Sequence, residues 1–168
     1  MNILSRFITL MMLCALAAPA VAEDFRVGVV DTERILRESV PAVKAEKKIE
    51  KEFATRDLEI KKLASQVKDM QRFLEQQGTT LSADQRREKE RELSNSNMDL
   101  QRMQREFRED LNLRKNEELA GVLQQANKAI QTIAQKEKYD LILQDVVYRN
   151  PKIDITDEVL KYLAGQQH

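Results

Sequence analysis

The sequence predicts a mainly helical chain with a small β body, in which a long antiparallel coiled-coil hairpin is inserted between short strands. Three observations support this fold class. The chain is 33% charged and 5% aromatic, with only 4 Gly and 3 Pro, so it lacks the turn residues that an all-β sandwich needs. Apolar residues repeat with heptad spacing in the central region. Short segments of alternating hydrophobicity flank that region on both sides.

The charge balance and the rare residue types exclude several classes of protein. With 28 Lys and Arg against 28 Asp and Glu, the net charge is zero, which argues against a strongly basic nucleic-acid binder. One Cys and one His exclude a disulfide framework and a Cys- or His-rich metal site. Two acidic pairs, Asp31 with Glu33 and Asp154 with Asp157, lie at predicted helix starts, where capping explains them. We therefore predict no enzymatic activity, no cofactor, no metal and no nucleic-acid partner.

Residues 1–22 have the pattern of a secretory signal peptide. Arg6 precedes an apolar stretch of about 12 residues, which is shorter than the roughly 20 residues of a membrane-spanning helix. Ala20-Val21-Ala22 has the small-x-small form of a cleavage site. We expect cleavage before Glu23 and export to the periplasm, which leaves a mature chain without Cys. The alternatives are a retained membrane anchor and a lipoprotein processed at Cys14.

The segments on both sides of the helical region, residues 23–41 and 139–168, predict a small β body. Alternating hydrophobicity predicts strands at residues 25–30, 139–144 and 146–148. One face of the first strand carries Phe25, Val27 and Val29. Because three short strands and one helix form a very small core, we expect copies of the chain to associate through their strands.

Capping residues predict where the helices of the body begin. Asp31 or Thr32 can cap a short helix, and Thr156 can cap the last one. Ser39-Val40-Pro41 restarts the chain as a long helix, with Pro near the first turn, where its missing N–H costs little.

The first helix of the hairpin is predicted over residues 42–77, which contain no Gly or Pro. Its apolar residues follow alternating steps of three and four, the a/d seam of a coiled coil. Arg56 fills one position of this seam, and the others are Ile49, Phe53, Ile60, Leu63, Val67, Met70 and Leu74. A helix of this length extends for about 54 Å.

The second helix is predicted to follow a turn at residues 78–80 and to run to about residue 138. Ser82 and Gln85 form a capping box at its start. Its apolar residues form two stripes, and the step of 12 residues from Phe107 to Leu119 fits no heptad. We therefore predict a bend or local unwinding between Asp110 and Glu118.

These features resemble the OmpH/Skp family of periplasmic chaperones. The matching segments are Val27-Gly28-Val29-Val30-Asp31, Tyr139-Asp140-Leu141-Ile142-Leu143 and Asp154-Ile155-Thr156, which lie on either side of the heptad hairpin. The resemblance implies a homotrimer with a trimeric body of strands, from which the hairpins of residues 42–138 project as tentacles. The residues that would build this body are Val27, Val29, Leu141, Leu143 and Val147.

By the same resemblance, the chain is an ATP-independent holdase in the periplasm. It would enclose unfolded outer-membrane β-barrel proteins, its clients, and prevent their aggregation before membrane insertion. One feature departs from the family, because its best-known members are strongly basic whereas this mature chain is nearly neutral. Electrostatic attraction of clients is therefore not expected to dominate. Anionic lipid and lipopolysaccharide stay open as further partners.

Phe73, Leu81 and Met98, which lie near the hairpin turn and outside the seam, are the candidates for client contact. Their alternative interpretation is scattered apolar surface residues, which are common in soluble proteins. The alternative function is a structural coiled-coil spacer or adaptor in a periplasmic export assembly. Such a spacer would hold a folded partner and would ignore unfolded chains.

Overall fold

A computed structural model describes residues 25–166. The predicted signal peptide and its cleavage site therefore lie outside the described residues. The elements in chain order are β1 (Val27–Val30), α1 (Thr32–Glu38), α2 (Val40–Gln77), α3 (Ala83–Glu137), β2 (Leu141–Gln144), a 3₁₀ turn (Pro151–Ile153) and α4 (Thr156–Gly165). The two long helices, α2 and α3, form the hairpin, and the remaining elements form the body.

The helix starts follow from local hydrogen bonds that the sequence predicts. The Asp31 carboxylate accepts a hydrogen bond from the Arg34 backbone N–H and caps α1. The Ser39 hydroxyl accepts from the Ala42 backbone N–H, and Pro41 lies in the first turn of α2. Each of these caps satisfies an N–H that has no partner within its helix.

The turn between α2 and α3 also forms as predicted. A Cβ on Gly78 would lie 2.3 Å from the Leu74 carbonyl oxygen, so only Gly fits where α2 ends. Ser82 and Gln85 exchange the two hydrogen bonds of a capping box at the start of α3. With 38 and 55 residues, the helices extend for about 57 and 83 Å.

The predicted seam of α2 is confirmed, because every seam position is buried or half-buried in the hairpin. The predicted local unwinding of α3 is wrong, since this helix is continuous from Ala83 to Glu137. Half-buried positions continue the steps of three and four from Phe107 through Leu111, Arg114 and Glu118. Polar side chains therefore fill the seam where apolar residues were sought. The buried positions then advance by four residues twice, from Arg114 to Glu118 and from Glu118 to Val122. These two steps shift the heptad phase, and a helix accommodates such a shift without a break.

The sheet within the described residues has two strands, so the predicted third strand at residues 146–148 is wrong. β1 and β2 run parallel, with Val27 opposite Leu141 and Val30 opposite Gln144. Asp145 has a left-handed backbone, with φ of 53°, which turns the chain out of the strand. Asp154 instead bridges to Val29 on the other side of β1. β1 therefore lies in the middle, and β2 forms the outer edge.

The core of the body lies where β1, α1, α4 and the end of α3 meet. Its residues are Val30, Ile35, Ala126, Ala129, Ile130, Ile133, Ile155, Val159 and Leu163. The predicted alternation of β1 is only partly right, because Val29 and Val30 are both buried while Phe25 is exposed before the strand begins. Gly28 lets neighbouring side chains approach β1, since a Cβ there would lie 3.2 Å from Ile155 and 3.4 Å from the Tyr139 ring.

Candidate functional sites: an open strand edge and the surface of the hairpin

The outer edge of the sheet carries an exposed apolar patch, which we call the edge patch. Leu141 and Leu143 on β2 are 43% and 40% exposed, and Val147 and Tyr148 just after it are more exposed still. In the described chain, β2 has a hydrogen-bonded partner only on the side of β1. An open edge beside apolar side chains is a typical template for pairing with another chain.

The predicted body residues therefore divide into two groups. Val29 is buried inside its own chain, and Val27 is half-buried beside it. Leu141, Leu143 and Val147 face outward on the edge patch. The first group holds the chain's own body together, whereas the second is placed to contact another copy.

A polar network fixes the segment that follows the edge patch. Arg149 donates to Asp154 at 2.6 Å through Nε and to Asp31 at 3.0 Å through Nη2. The Thr156 hydroxyl donates to Asp154 at 2.5 Å and accepts from the Asp31 backbone N–H at 2.9 Å. Thr156 is fully buried. The network thereby joins the end of β1, the start of α4 and the loop between β2 and α4.

This network corrects one prediction and contains a residue that sequence reasoning missed. Thr156 does not cap α4, since it is the first residue of that helix and Asp154 accepts from its backbone N–H. Arg149 lies 118 residues from Asp31 in the sequence, and no local pattern marks it. Asp31 and Asp154 each belong to one of the two acidic pairs named in the sequence analysis. Both carboxylates accept structural hydrogen bonds here.

Both carboxylates of the network are held in their charged form. The pKa of Asp31 lies below its ordinary value, chiefly because the Arg34 backbone N–H donates to it; Arg149 adds to this effect and burial opposes it. Burial raises the pKa of Asp154, but hydrogen bonds from Thr156 and Arg149 outweigh that effect, so this pKa is also lowered. Both groups therefore stabilise the fold when they are ionised.

We expect the protein to lose stability in acid because of these two groups. The unfolded carboxyl groups take up protons near pH 4, whereas the folded ones stay charged to lower pH, so stability falls as pH drops from about 5 through the lowered pKa values. Urea unfolding at pH 7, 5 and 3 measures this. Asp154→Asn should show a shallower loss below pH 5, and Asp84→Asn on the exposed hairpin is the control. An unchanged pH profile in Asp154→Asn would contradict this assignment.

Ion pairs hold the middle of the hairpin together, and we call them the polar belt. Arg56 pairs with Asp110 at 2.7 Å, and Arg114 pairs with Glu52 at 3.0 Å. Glu118 receives both Arg114 and Lys48 at 2.7 Å, and these cations lower its pKa. The seam arginine, Arg56, thus does not open the seam. Its guanidinium contacts the Asp110 carboxylate and lies 6.0 Å from the ring centroids of Phe53 and Phe107.

The three predicted client-contact residues lie in different environments. Phe73 lines an open groove of about 540 Å³ near the turn, together with Met70 of α2 and with Lys89 and Glu92 of α3. Met98 is 58% exposed but lies outside that groove. Leu81 lies in the turn and is half-buried, whereas the sequence analysis expects it to be exposed. Of the three, Phe73 alone lines this groove.

A second groove lies at the base of the hairpin, and the sequence analysis did not predict it. Its volume is about 410 Å³, and its apolar walls include Leu36, Ile49 and Leu119. Leu119 had been expected in the seam, but it is 43% exposed and faces this groove. The half-buried seam position is Glu118, so Leu119, the next residue, lies at the edge of the seam and lines the groove beside Ile49.

No cluster of three His, Cys, Asp or Glu side chains within residues 25–166 could hold a metal ion. In that same range, no helix is both long enough and apolar enough to cross a membrane.

The sequence is similar to that of a described protein family and of named proteins. A sequence profile for the family described as outer membrane protein (OmpH-like) matches residues 26–163. Chaperone protein Skp of Yersinia enterocolitica is 28% identical over 149 residues, which cover 88% of this chain and 91% of that protein. Chaperone protein Skp of Blochmanniella pennsylvanica is 27% identical over 150 residues, which cover 88% and 90%.

A solved structure shares the fold. It is a protein of Caulobacter crescentus CB15, described as OmpH-like, with a TM-score of 0.71 at 20% identity. The match covers 83% of this chain and 84% of that one. The predicted fold class, a mainly helical chain with long helices and a small sheet, is confirmed.

Proposed function

Because the chain belongs to the OmpH-like family, whose relatives named above are Skp chaperones, we propose that it is an ATP-independent periplasmic holdase for unfolded outer-membrane β-barrel proteins. The family resemblance stated from the sequence is confirmed by the profile match. The prediction that the chain is not an enzyme is confirmed by the same relatives, since they are named chaperones. A role in the handling of outer-membrane proteins follows from the family, and the holdase mechanism is our proposal.

The observation that carries the proposal is the surface of the hairpin. Large apolar side chains lie singly along it among charged residues, with Leu58, Met98 and Leu113 each more than half exposed. Such a surface offers many weak, separate contacts and no single tight site. Weak contacts of this kind suit an extended, unfolded client, because none of them prevents release.

We further propose that the working form is a homotrimer assembled through the edge patch. The core of a single body contains nine buried residues, and so small a core rarely stabilises a chain alone. Pairing through β2 would cover Leu141, Leu143 and Val147 and would complete the open edge. Three hairpins standing on one body would then enclose a space for a client.

The test is to dilute a urea-unfolded outer-membrane β-barrel protein into buffer with the mature chain and no nucleotide. Light scattering reports aggregation, and native mass spectrometry gives the mass of any complex. We expect suppressed aggregation and a complex of three chains with one client. Aggregation at the control rate in the presence of a well-folded oligomer would overturn the holdase proposal and favour the structural adaptor.

The tip residues give a sharper prediction about where clients bind. Replacing Phe73, Leu81 and Met98 together by Ser should weaken client binding by about 10- to 100-fold, since each change removes part of the contact area of one apolar side chain. Fluorescence titration with a labelled client measures the change. The variant with Gln76→Ser, Asn95→Ser and Gln101→Ser, three exposed polar positions of the hairpin, is the matched control. An unaltered affinity in the triple variant would rule out tip contact.

A further inference from the structure

Residues 146–148, which join β2 to the polar network, are poorly covered by their own chain, and we call them the linking segment. The side chains of Val147 and Tyr148 are exposed to solvent, at 108% and 82%. Among residues 25–166, no backbone hydrogen bond involves the main chain of this segment. A contiguous exposed apolar patch typically marks a contact with another molecule.

Both ends of the linking segment are fixed to the body. At its start, Gln144 is the last residue of β2 that pairs with β1, and Asp145 turns the chain with its left-handed backbone. At its end, the Arg149 guanidinium donates to Asp154 at 2.6 Å and to Asp31 at 3.0 Å. Because the segment has no backbone hydrogen bonds of its own, these two ends determine the direction in which its side chains point.

The two carboxylates that hold Arg149 are themselves held in place. Asp31 also accepts from the Arg34 backbone N–H at 2.9 Å. Asp154 also accepts from the Thr156 backbone N–H at 2.9 Å and from its hydroxyl at 2.5 Å, and Thr156 is fully buried. A planar guanidinium that donates to two fixed carboxylates has a well-defined orientation. Arg149 therefore attaches the end of the linking segment to the rigid part of the body.

We propose that Arg149 is a positioning residue of the assembly, because it holds the linking segment so that Val147 and Tyr148 point toward a second copy of the chain. The inference rests on the assembly proposed above, and it adds a residue that acts through its neighbours. A second copy is the occupant because the two side chains continue the edge patch beside the open edge of β2. A segment that is ordered before binding loses less conformational entropy when the copies meet, and Arg149 thereby favours assembly.

The leucines of β2 provide an internal comparison within the edge patch. Leu141 and Leu143 lie on a strand that pairs with β1, so their direction does not depend on Arg149. An effect of Arg149 on assembly should therefore pass through Val147 and Tyr148 alone. A general loss of stability in the body would instead act on both parts of the edge patch, which separates the two explanations.

The first measurement is the dissociation constant of the assembly for Arg149→Gln, obtained by sedimentation velocity across a concentration series. Gln removes both charge-assisted hydrogen bonds. We expect association to weaken by about 10- to 100-fold, since ordering each residue of a free segment costs roughly tenfold in affinity. Arg102→Gln, which removes an ion pair with Asp99 on the hairpin, is the matched control and should leave the constant unchanged. An unchanged constant for Arg149→Gln would overturn the proposal.

The second measurement repeats Arg149→Gln in two backgrounds. In Val147→Ser with Tyr148→Ser, it should alter the dissociation constant by less than about threefold, because no apolar side chain is left to orient. In Leu143→Ser it should keep its full effect. Equal effects in the two backgrounds would assign Arg149 to the stability of the body and overturn its positioning role. Arg149→Lys keeps the charge but lacks the planar fork that reaches two carboxylates, so the same cycle with Lys decides the question where Arg149→Gln does not fold.

Mass and aggregation measurements on the unmodified chain separate this proposal from the proposed function. An assembled chain that fails to suppress client aggregation would overturn the holdase proposal and leave the role of Arg149 intact, because that role is measured by the mass of the assembly. An assembled chain that suppresses aggregation but does not respond to Arg149→Gln would overturn the positioning role alone. A monomer by native mass spectrometry would overturn the assembly and, with it, the role of Arg149.

Discussion

Replacing Leu141 and Leu143 together by Glu is expected to dissociate the assembly. Both side chains lie on the open edge of the sheet, where they are 43% and 40% exposed in a single chain. In a strand-paired assembly they would be covered, and burying the exposed two-fifths of each Leu would contribute about 0.6–1.2 kcal/mol, a share of the about 1.5–3 kcal/mol of a whole side chain. The two Glu side chains lose that contribution and bring unpaired carboxylates into the interface, so association should weaken by about a hundred-fold or more, since about 1.4 kcal/mol corresponds to tenfold. Sedimentation velocity across a concentration series measures the effect.

The same variant should lose its ability to suppress client aggregation, because separate hairpins enclose no space. The matched control is Leu58→Glu with Leu113→Glu, which places two identical changes on exposed hairpin positions far from β2. That control should keep the parent's oligomer mass. If the edge variant keeps the parent's mass as well, the strands are not the assembly surface.

Ile35→Ala is expected to be the most destabilising single truncation. Ile35 is 1% exposed and lies in the cluster that joins α1 to the end of α3 and to α4. Removing a buried Ile side chain leaves a cavity and costs about 2–5 kcal/mol, a large part of the 5–15 kcal/mol that a domain has in total. Urea unfolding at a fixed protein concentration measures the loss, because assembly makes apparent stability depend on concentration.

The matched control for Ile35 is Leu58→Ala on the exposed surface of α2. Leu58 is 66% exposed, so its truncation should change the free energy of unfolding by less than about 0.5 kcal/mol. Equal losses at the two positions would show that the body cluster does not carry the stability of the chain.

The hairpin shows how far local patterns reach in this chain. Ser39, Gly78 and Ser82 predict both ends of α2 and the start of α3, because each acts on backbone groups within four residues. The heptad steps predict the seam for a similar reason, since position along a helix determines the buried face. The interpretation of α3 was wrong where polar side chains enter that seam. A search for apolar residues alone misses Arg114 and Glu118, which are half-buried through ion pairs with α2.

The body shows where such patterns stop. The third strand was predicted from the apolar residues Val146 and Val147, but the left-handed backbone at Asp145 ends β2 before them. Thr156 was predicted as a cap because it is a good capping residue, yet its hydroxyl is used by Asp31 and Asp154. In both cases a contact with a distant or strained part of the chain overrode a local preference.

By itself, the sequence determined the two long helices, their caps, their seam and the resemblance to the OmpH/Skp family, since all of these depend on residues close together in the chain. Only the tertiary structure decided the parallel pairing of β1 with β2, the network around Arg149 and the exposed edge patch. Those features join residues more than a hundred positions apart, and no short-range pattern encodes such pairings.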